Sequence, residues 1–142
     1  MTQQKHNGRL AHTAVMPIRW GDMDAMGHVN NAVYFRYFEQ ARVDWLMTFG
    51  YPPDASREEG VVIVNAQCSF LKQLRYPGSI EVRTYIGAIG RSSVESIHEI
   101  RRSDAPDVVC AEGGAKMVWI NYREEKSVPL PDHVRQLLDQ QS

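Results

Sequence analysis

From His12 to Trp20 the even positions Ala14, Met16, Ile18 and Trp20 are apolar, the two-residue period of a strand with one covered face. Pro17 within this run lacks a backbone donor and predicts an edge or bulged strand. After a polar turn, Gly21 to Asn30, the period changes. Tyr34, Phe38, Ala41, Trp45 and Phe49 recur at steps of three and four, with Tyr37 and Leu46 widening the stripe. This spacing predicts a helix from about Asn31 to Phe49, capped by Asn30 or Asn31 and stopped by Gly50 and Pro52-Pro53. The charges Arg36, Glu39 and Arg42 fall on another face, so a helix this aromatic must be covered by the rest of the chain.

Period two then returns. Val62, Val64, Ala66, Cys68 and Phe70 alternate with polar residues, as do Ile80, Val82, Thr84 and Ile86. Val94 to Arg102 forms a more polar strand, and Val108 to Asn121 carries Val109, Ala111, Gly113, Ala115, Met117 and Trp119 on one face. The small residues Ala111, Gly113 and Ala115 would let a helix backbone lie close to the sheet. Pro77-Gly78, Gly90-Arg91-Ser92 and Ala105-Pro106-Asp107 read as turns, and a short helix from Asp132 to Gln140 follows Pro129 and Pro131. The order is strand, long helix, four strands, short helix: an α+β fold with an antiparallel sheet and one helix on its face. Residues 1–11 read as a frayed polar lead, and 12–142 as one domain.

Composition narrows the function classes. A chain of 142 residues with 43% hydrophobic and 23% charged residues has room for one core and no second, cofactor-bearing domain. A formal net charge of −1 and scattered basic residues argue against nucleic acid as a partner. No span approaches the ~20 apolar residues of a membrane helix, and the polar N-terminus lacks a secretory signal, so a cytoplasmic location is expected. Cys68 and Cys110, 42 positions apart, form neither a zinc nor a redox motif and read as small buried hydrophobes on strands.

The chemically capable residues gather where the long helix begins: Asp22, Asp24, His28, Asn30 and Asn31. Turn and cap duties alone would explain Asp and Asn there. A calcium loop fails, because with Asp22 as position 1 the fifth position is Met26 and the twelfth Val33, where oxygen ligands are required. A transition-metal site from Asp22, Asp24 and His28 lacks support from further ligands nearby. The remaining reading uses the helix itself: its unpaired first amides suit a developing oxyanion, and a carboxylate beside them could attack, or activate water to attack, a bound carbonyl. No nucleophile elbow, dinucleotide fingerprint or Walker A motif is present. His98, flanked by Glu95 and Glu99, reads as a surface or half-buried structural histidine.

The run from Trp20 through Gly-Asp-Met-Asp-Ala-Met-Gly-His-Val-Asn-Asn-Ala-Val-Tyr-Phe-Arg-Tyr-Phe to Glu39 resembles the signature of hotdog-fold acyl-CoA thioesterases of the 4-hydroxybenzoyl-CoA thioesterase family. Its His-Val-Asn-Asn portion is also similar to plant acyl-ACP thioesterases. A looser likeness extends over roughly residues 12–122. The resemblance implies a hotdog fold, a long central helix wrapped by a curved antiparallel sheet of about five strands, and hydrolysis of an acyl-CoA to free acid and CoA. By it, Asp24 is the catalytic carboxylate, as nucleophile or general base, the Asn31 N–H polarises the carbonyl, and Gly27 shapes the turn. His28 falls where the acyl-ACP branch has a functional histidine, and Met26 stands where that branch has an asparagine. Coenzyme A would run along a junction of two subunits, with Arg91, Ser92 and Ser93 meeting it and Tyr34, Phe35, Phe38 and Val64 lining the acyl pocket, although aromatic residues at helical spacing also suit a core. It implies no metal or organic cofactor and a homodimer or homotetramer. The rivals are a hotdog hydratase acting on the same thioesters and a non-catalytic acyl-CoA binding protein.

Overall fold

The structure, a computed structural model, describes residues 8–50 and 56–141. Alternation accounts for the inner strands. In β3 (Ser79–Ile89) the side chains of Ile80, Val82, Thr84 and Ile86 are all buried, and in β5 (Ala111–Asn121) Ala111, Gly113, Ala115, Met117 and Trp119 are buried likewise. Between them runs β4 (Ser93–Arg102), whose inward face holds Val94, Ser96, His98 and Ile100. The flanking strands are β1 (Leu10–Pro17) beside β3 and β2 (Glu59–Phe70) beside β5, giving the antiparallel order β1-β3-β4-β5-β2; the two-residue β6 (Lys126–Ser127) pairs with β5. The sheet therefore has five main strands and a short sixth, and β1, which holds Pro17, lies at an edge as its proline requires.

Two helices complete the α+β fold: α1 (Asn31–Met47) and α2 (Asp132–Gln141). Asn30 caps α1, its side chain accepting the Ala32 N–H at 2.9 Å, and Gly50 follows at φ 74°, the left-handed region where a glycine costs least. Two clusters hold the layers together. Tyr34, Tyr37, Phe38 and Ala41 of α1 pack with Ala14, Ile80, Val82, Ile100 and Ala111 of the sheet. Burying a side chain such as that of Phe38 stabilises the fold by roughly 1.5–3 kcal/mol. Farther along, Trp45 and Phe49 pack with Ile86, Met117, Trp119 and with Leu130, Val134 and Leu138, so α2 covers the end of α1 remote from its N-terminus.

Several local expectations are corrected. The polar lead ends earlier than expected, since Leu10 and Ala11 already belong to β1; residues 1–7 lie outside the described residues. Alternation stops at Ile18, because the Asp22 carboxylate accepts the Arg19 N–H at 2.8 Å and draws residues 20–22 into a 3-10 turn that leaves Trp20 73% exposed. Along β2 a register shift between Ile63 and Asn65 breaks the alternation, and Val64 is 58% exposed. Gly113 and Gly114 make room for neighbouring strands, not for a helix: an added Cβ would collide with the carbonyl oxygens of Gln67 and Ser96, while α1 lies nearest to β1 and β3. His98 is fully buried, stacked on Phe38 with centroids 5.1 Å apart, its Nδ1 3.0 Å from Thr84 Oγ1. Cys110 is buried just before β5, whereas Cys68 on β2 is only half-buried; burial pushes both thiols up, Cys68 to about 11.

Candidate active site

The turn between the 3-10 segment and α1 is a ladder closed on itself. Asn30 N–H donates to the Asp22 carbonyl at 3.0 Å, Met23 and Val29 form an antiparallel bridge, and Asp24 N–H donates to the His28 carbonyl at 2.9 Å. At its tip Gly27 N–H donates to the Asp24 carbonyl at 3.0 Å with Gly27 at φ 81°, a conformation that strains any residue with a side chain. The ladder is anchored to the fold through Val29, buried, whose N–H donates to the Leu74 carbonyl at 2.8 Å. Asp and Gly at these spacings therefore do form the turn that their chemistry favours.

This ladder presents Asp24 at the surface. Its Oδ1 accepts the Met26 N–H at 2.9 Å, and its Oδ2 receives only a long contact, 3.4 Å, from Asn30 Nδ2. Asn30 thus does two things at once: one side-chain atom caps α1 and the other holds Asp24. The first amides of a helix lack partners within it. Here Ala32 N–H is satisfied by Asn30 Oδ1 and Val33 N–H by the Asn30 carbonyl at 2.9 Å, which leaves the exposed Asn31 N–H without a hydrogen-bond partner among the described residues. A carboxylate oxygen and a free helix-start donor thus share one rim, the pairing that acts on a carbonyl.

A cleft of about 310 Å³ opens beside them, lined by Asp24, Met26, His28, Asn31, Tyr34 and Phe70, with Val29 and Gln73 completing it. Tyr34 and Phe70 meet edge to face, centroids 4.9 Å apart. Burial, the largest cause, raises the Tyr34 hydroxyl above its ordinary value, so it stays protonated. His28 Nε2 lies 3.0 Å from Arg75 Nη2. A guanidinium only donates, so Nε2 must accept and the ring proton must sit on Nδ1. Asp22, by contrast, faces away from this cleft: its Oδ2 accepts the Tyr37 hydroxyl at 2.8 Å, and both residues line a separate groove between α1 and β1. The three residues Asp22, Asp24 and His28 consequently do not converge on one ligand.

Of the residues singled out from sequence, Asp24, His28, Asn31 and Tyr34 are brought to one cleft, with Gly27 shaping the turn beside it. Phe38 is buried against His98 instead, and neither it nor Val64 lines this cleft. Phe35 and Phe38 line another groove, between α1 and β2. Arg91 and Ser92 lie in the β3–β4 turn and Ser93 opens β4; the Arg91 carbonyl accepts Leu130 N–H and the Ser92 carbonyl accepts Trp119 N–H. Arg135 Nη2 donates to the Gly90 carbonyl at 2.7 Å, so this turn is built into the α2 end of the fold. Phe70, Gln73 and Arg75 are additions that only the folded chain reveals.

The model of the Thioesterase-like superfamily matches residues 18–138. Among solved structures, the "PA2801 protein, a putative Thioesterase from Pseudomonas aeruginosa" is 40% identical, with 90% of this chain and 98% of that one covered and a TM-score of 0.87. The BH1999 gentisyl-coenzyme A thioesterase is 27% identical over 87% of this chain and 99% of that one, with a TM-score of 0.78. A protein of Aquifex aeolicus (strain VF5) named "Putative esterase" is 29% identical over 85% of this chain and 92% of its own length. The α+β fold, with its six-stranded antiparallel sheet and two helices, fits the hotdog fold of thioesterases. The chain belongs to the Thioesterase-like superfamily.

Proposed function

We propose that this protein hydrolyses the thioester of an acyl-CoA, releasing a free acid and the CoA thiol, and that Asp24 and the Asn31 N–H carry the reaction within one hotdog unit that includes β1 from Leu10 onward, with α1 as its long central helix. The observation that carries the reading is Asn30, which caps α1 through Oδ1 and contacts Asp24 through Nδ2, so one residue links the carboxylate to the helix start, and Asp24 and Asn31 line the same cleft. The thioester carbonyl oxygen receives the Asn31 N–H, which stabilises the negative charge that develops as the carbonyl carbon becomes tetrahedral. Asp24 Oδ2, the less engaged oxygen, acts at that carbon directly or removes a proton from the water that does. Collapse of the intermediate expels the CoA sulfur. In the general-base route the proton that Asp24 took from water passes to the thiolate and the acid forms in the same step. In the direct route the thiolate takes its proton from solvent, and a water then hydrolyses the Asp24–acyl anhydride, releasing the acid and restoring the carboxylate. His28, with Nε2 turned to Arg75, is an auxiliary group that steadies the ladder. The family name and the two thioesterase structures support this reading.

A second copy of the chain is part of the proposal. Strand β2 is the sheet edge, its outer side unpaired among the described residues, and it exposes Ile63, Val64 and Phe70. A long apolar edge of this kind invites pairing. Because Phe70 also walls the Asp24 cleft, a partner on β2 would complete the acyl pocket. The free thiols Cys68 and Cys110 suit a reducing compartment, and we place the reaction in the cytoplasm. No helix among the described residues is long and apolar enough to cross a membrane.

The test is thiol release from aryl-, short- and long-chain acyl-CoAs, followed with a chromogenic thiol reagent. Asp24→Asn should lower kcat by at least about a hundredfold, within the span that such groups contribute, with an unchanged circular dichroism spectrum. Wild-type turnover in that variant would remove Asp24 from the mechanism. Loss of enoyl absorbance without thiol release, or tight binding with neither, would replace hydrolysis with hydration or with binding.

A further inference from the structure

Asp22 takes no part in the chemistry just described, yet it accepts three hydrogen bonds. Its Oδ2 accepts the Arg19 N–H and the Tyr37 hydroxyl, each at 2.8 Å, and its carbonyl accepts the Asn30 N–H at 3.0 Å. We propose that Tyr37 and Asp22 are a positioning pair that fixes the Asp24 ladder against the start of α1 and so sets the spacing between the Asp24 carboxylate and the Asn31 N–H. The proposal rests on the thioesterase reading of those two groups.

The ladder is held to itself by main-chain bonds, from the Asp22–Asn30 pair at its neck to the Asp24–His28 bond near its tip. Those bonds fix its shape, and the Val29 N–H bond to the Leu74 carbonyl holds one side of it to the segment before β3, but none of them reaches α1 beyond its first turn. Its orientation relative to α1 is set by a link to a part of that helix that does not move. Tyr37 lies six residues beyond Asn31, which is about 9 Å along the helix at the usual rise. It is 5% exposed and packed in the core with Tyr34, so its hydroxyl is a fixed point. Burial above all, and then the bond to Asp22, raise its hydroxyl and keep it a donor. From that point the linkage runs Tyr37 Oη, Asp22 Oδ2, Asp22 carbonyl, Asn30 N–H, and Asn30 is the residue that both caps α1 and contacts Asp24.

Neither Tyr37 nor Asp22 lines the Asp24 cleft; both line the groove between α1 and β1. They can therefore affect turnover only through other residues. An error of about 1 Å in placing reacting groups can lower a rate by about a hundredfold. A Tyr that merely packs would affect stability and leave turnover per folded molecule unchanged.

The test uses the full chain, with benzoyl-CoA and octanoyl-CoA as probes, and compares Tyr37→Phe, Asp22→Ala, Asp22→Asn and the Tyr37→Phe/Asp22→Ala double variant. Tyr37→Phe and Asp22→Ala should each lower kcat about 10- to 100-fold with KM within about threefold of wild type. The double variant should be no slower than the slower single variant, because the Tyr37–Asp22 bond is already broken in each. Asp22→Asn, which retains one oxygen able to accept, should recover part of the rate. Wild-type kcat in Tyr37→Phe, additive losses in the double variant, or a change confined to KM or to the melting midpoint would each overturn the pair. If Tyr37→Phe does not fold, the Asp22→Asn and Asp22→Ala comparison decides alone, equal rates in the two overturning the proposal. Failure of the underlying reading is distinct: it appears as an active Asp24→Asn enzyme, whereas failure of the pair alone appears as an inactive Asp24→Asn beside a fully active Tyr37→Phe.

Discussion

The Arg75 guanidinium stands 3.0 Å from His28 Nε2, joining the strand-side segment before β3 to the ladder that carries Asp24. The donor in this pair has no alternative role, so it selects the Nδ1–H form of His28. Nitrogen-15 shifts of the imidazole should show Nε2 as the unprotonated nitrogen of the neutral ring, and Arg75→Ala should abolish that preference. Because Arg75 is exposed, the contact contributes little to stability. Arg75→Ala is expected to lower kcat/KM by roughly fivefold, about 1 kcal/mol at the transition state, and Arg75→Lys, which keeps a donor, by less.

Asn30 separates helix capping from support of Asp24. Asn30→Ala removes both, and should cost about 1 kcal/mol of stability, as loss of a helix cap usually does, together with a large part of kcat. Asn30→Asp keeps an oxygen for the Ala32 N–H but sets a second carboxylate against Asp24 Oδ2 where an amide donor now stands. Its melting midpoint should stay near wild type while its activity falls as far as that of the alanine variant. Thermal unfolding and thiol release on the same samples separate the two effects.

How much of this was legible in the sequence follows the distance between partners. Asp24, His28, Asn30 and Asn31 lie within eight positions of one another, in a turn whose hydrogen bonds are local, so residue type and spacing sufficed to find them. The buried stripe Tyr34, Phe38, Ala41 and Trp45 was equally plain, because helical period depends only on the chain itself. Phe70, Gln73 and Arg75 were not, since the first two reach the cleft, and Arg75 the His28 ring that lines it, only after the sheet brings β2 and its following segment back to the start of α1. Val64 shows a different limit. Alternation assigns it to a covered face, but strand order puts β2 at an edge and the register shift at Ile63 breaks the period, neither of which a run of apolar residues reveals. For Phe38 the period was right, but spacing alone does not assign the role: a stripe that faces the core and one that faces a ligand have the same spacing.

His98 predicts an acid sensitivity that does not involve the cleft. Burial, with the Arg42 guanidinium of α1 adding to it, pushes its imidazole down to about 3 from an ordinary 6.5. Between those values the unfolded chain binds the proton and the folded one does not, so stability rises with pH across this window and falls as acid is added. The slope for one such proton approaches about 1.4 kcal/mol per pH unit. His98→Asn can keep an acceptor near Thr84 Oγ1 and removes the titration. Urea midpoints between pH 4 and 7 should therefore decline less steeply in the variant than in wild type, and parallel curves would mean that His98 is not the group responsible.

Val64 is 58% exposed on β2, where the order of strands leaves no further neighbour within the described residues. A second copy seated there would bury Val64 together with Ile63 and Phe70, and a lysine at position 64 would have to lose its hydration to do the same. Lysine is also the residue that natural sheets use to keep edges apart. Val64→Lys should thus weaken self-association by at least about tenfold, which corresponds to 1.4 kcal/mol, with no loss of melting midpoint in the separated chains. Since Phe70 lies on the same strand and walls the cleft, KM should rise as the assembly dissociates and recover at higher protein concentration. Sedimentation velocity and thiol release over one dilution series test both halves: an assembly unchanged by the lysine would place the subunit contact elsewhere, and a monomer with wild-type KM would show that each cleft is complete within its own chain.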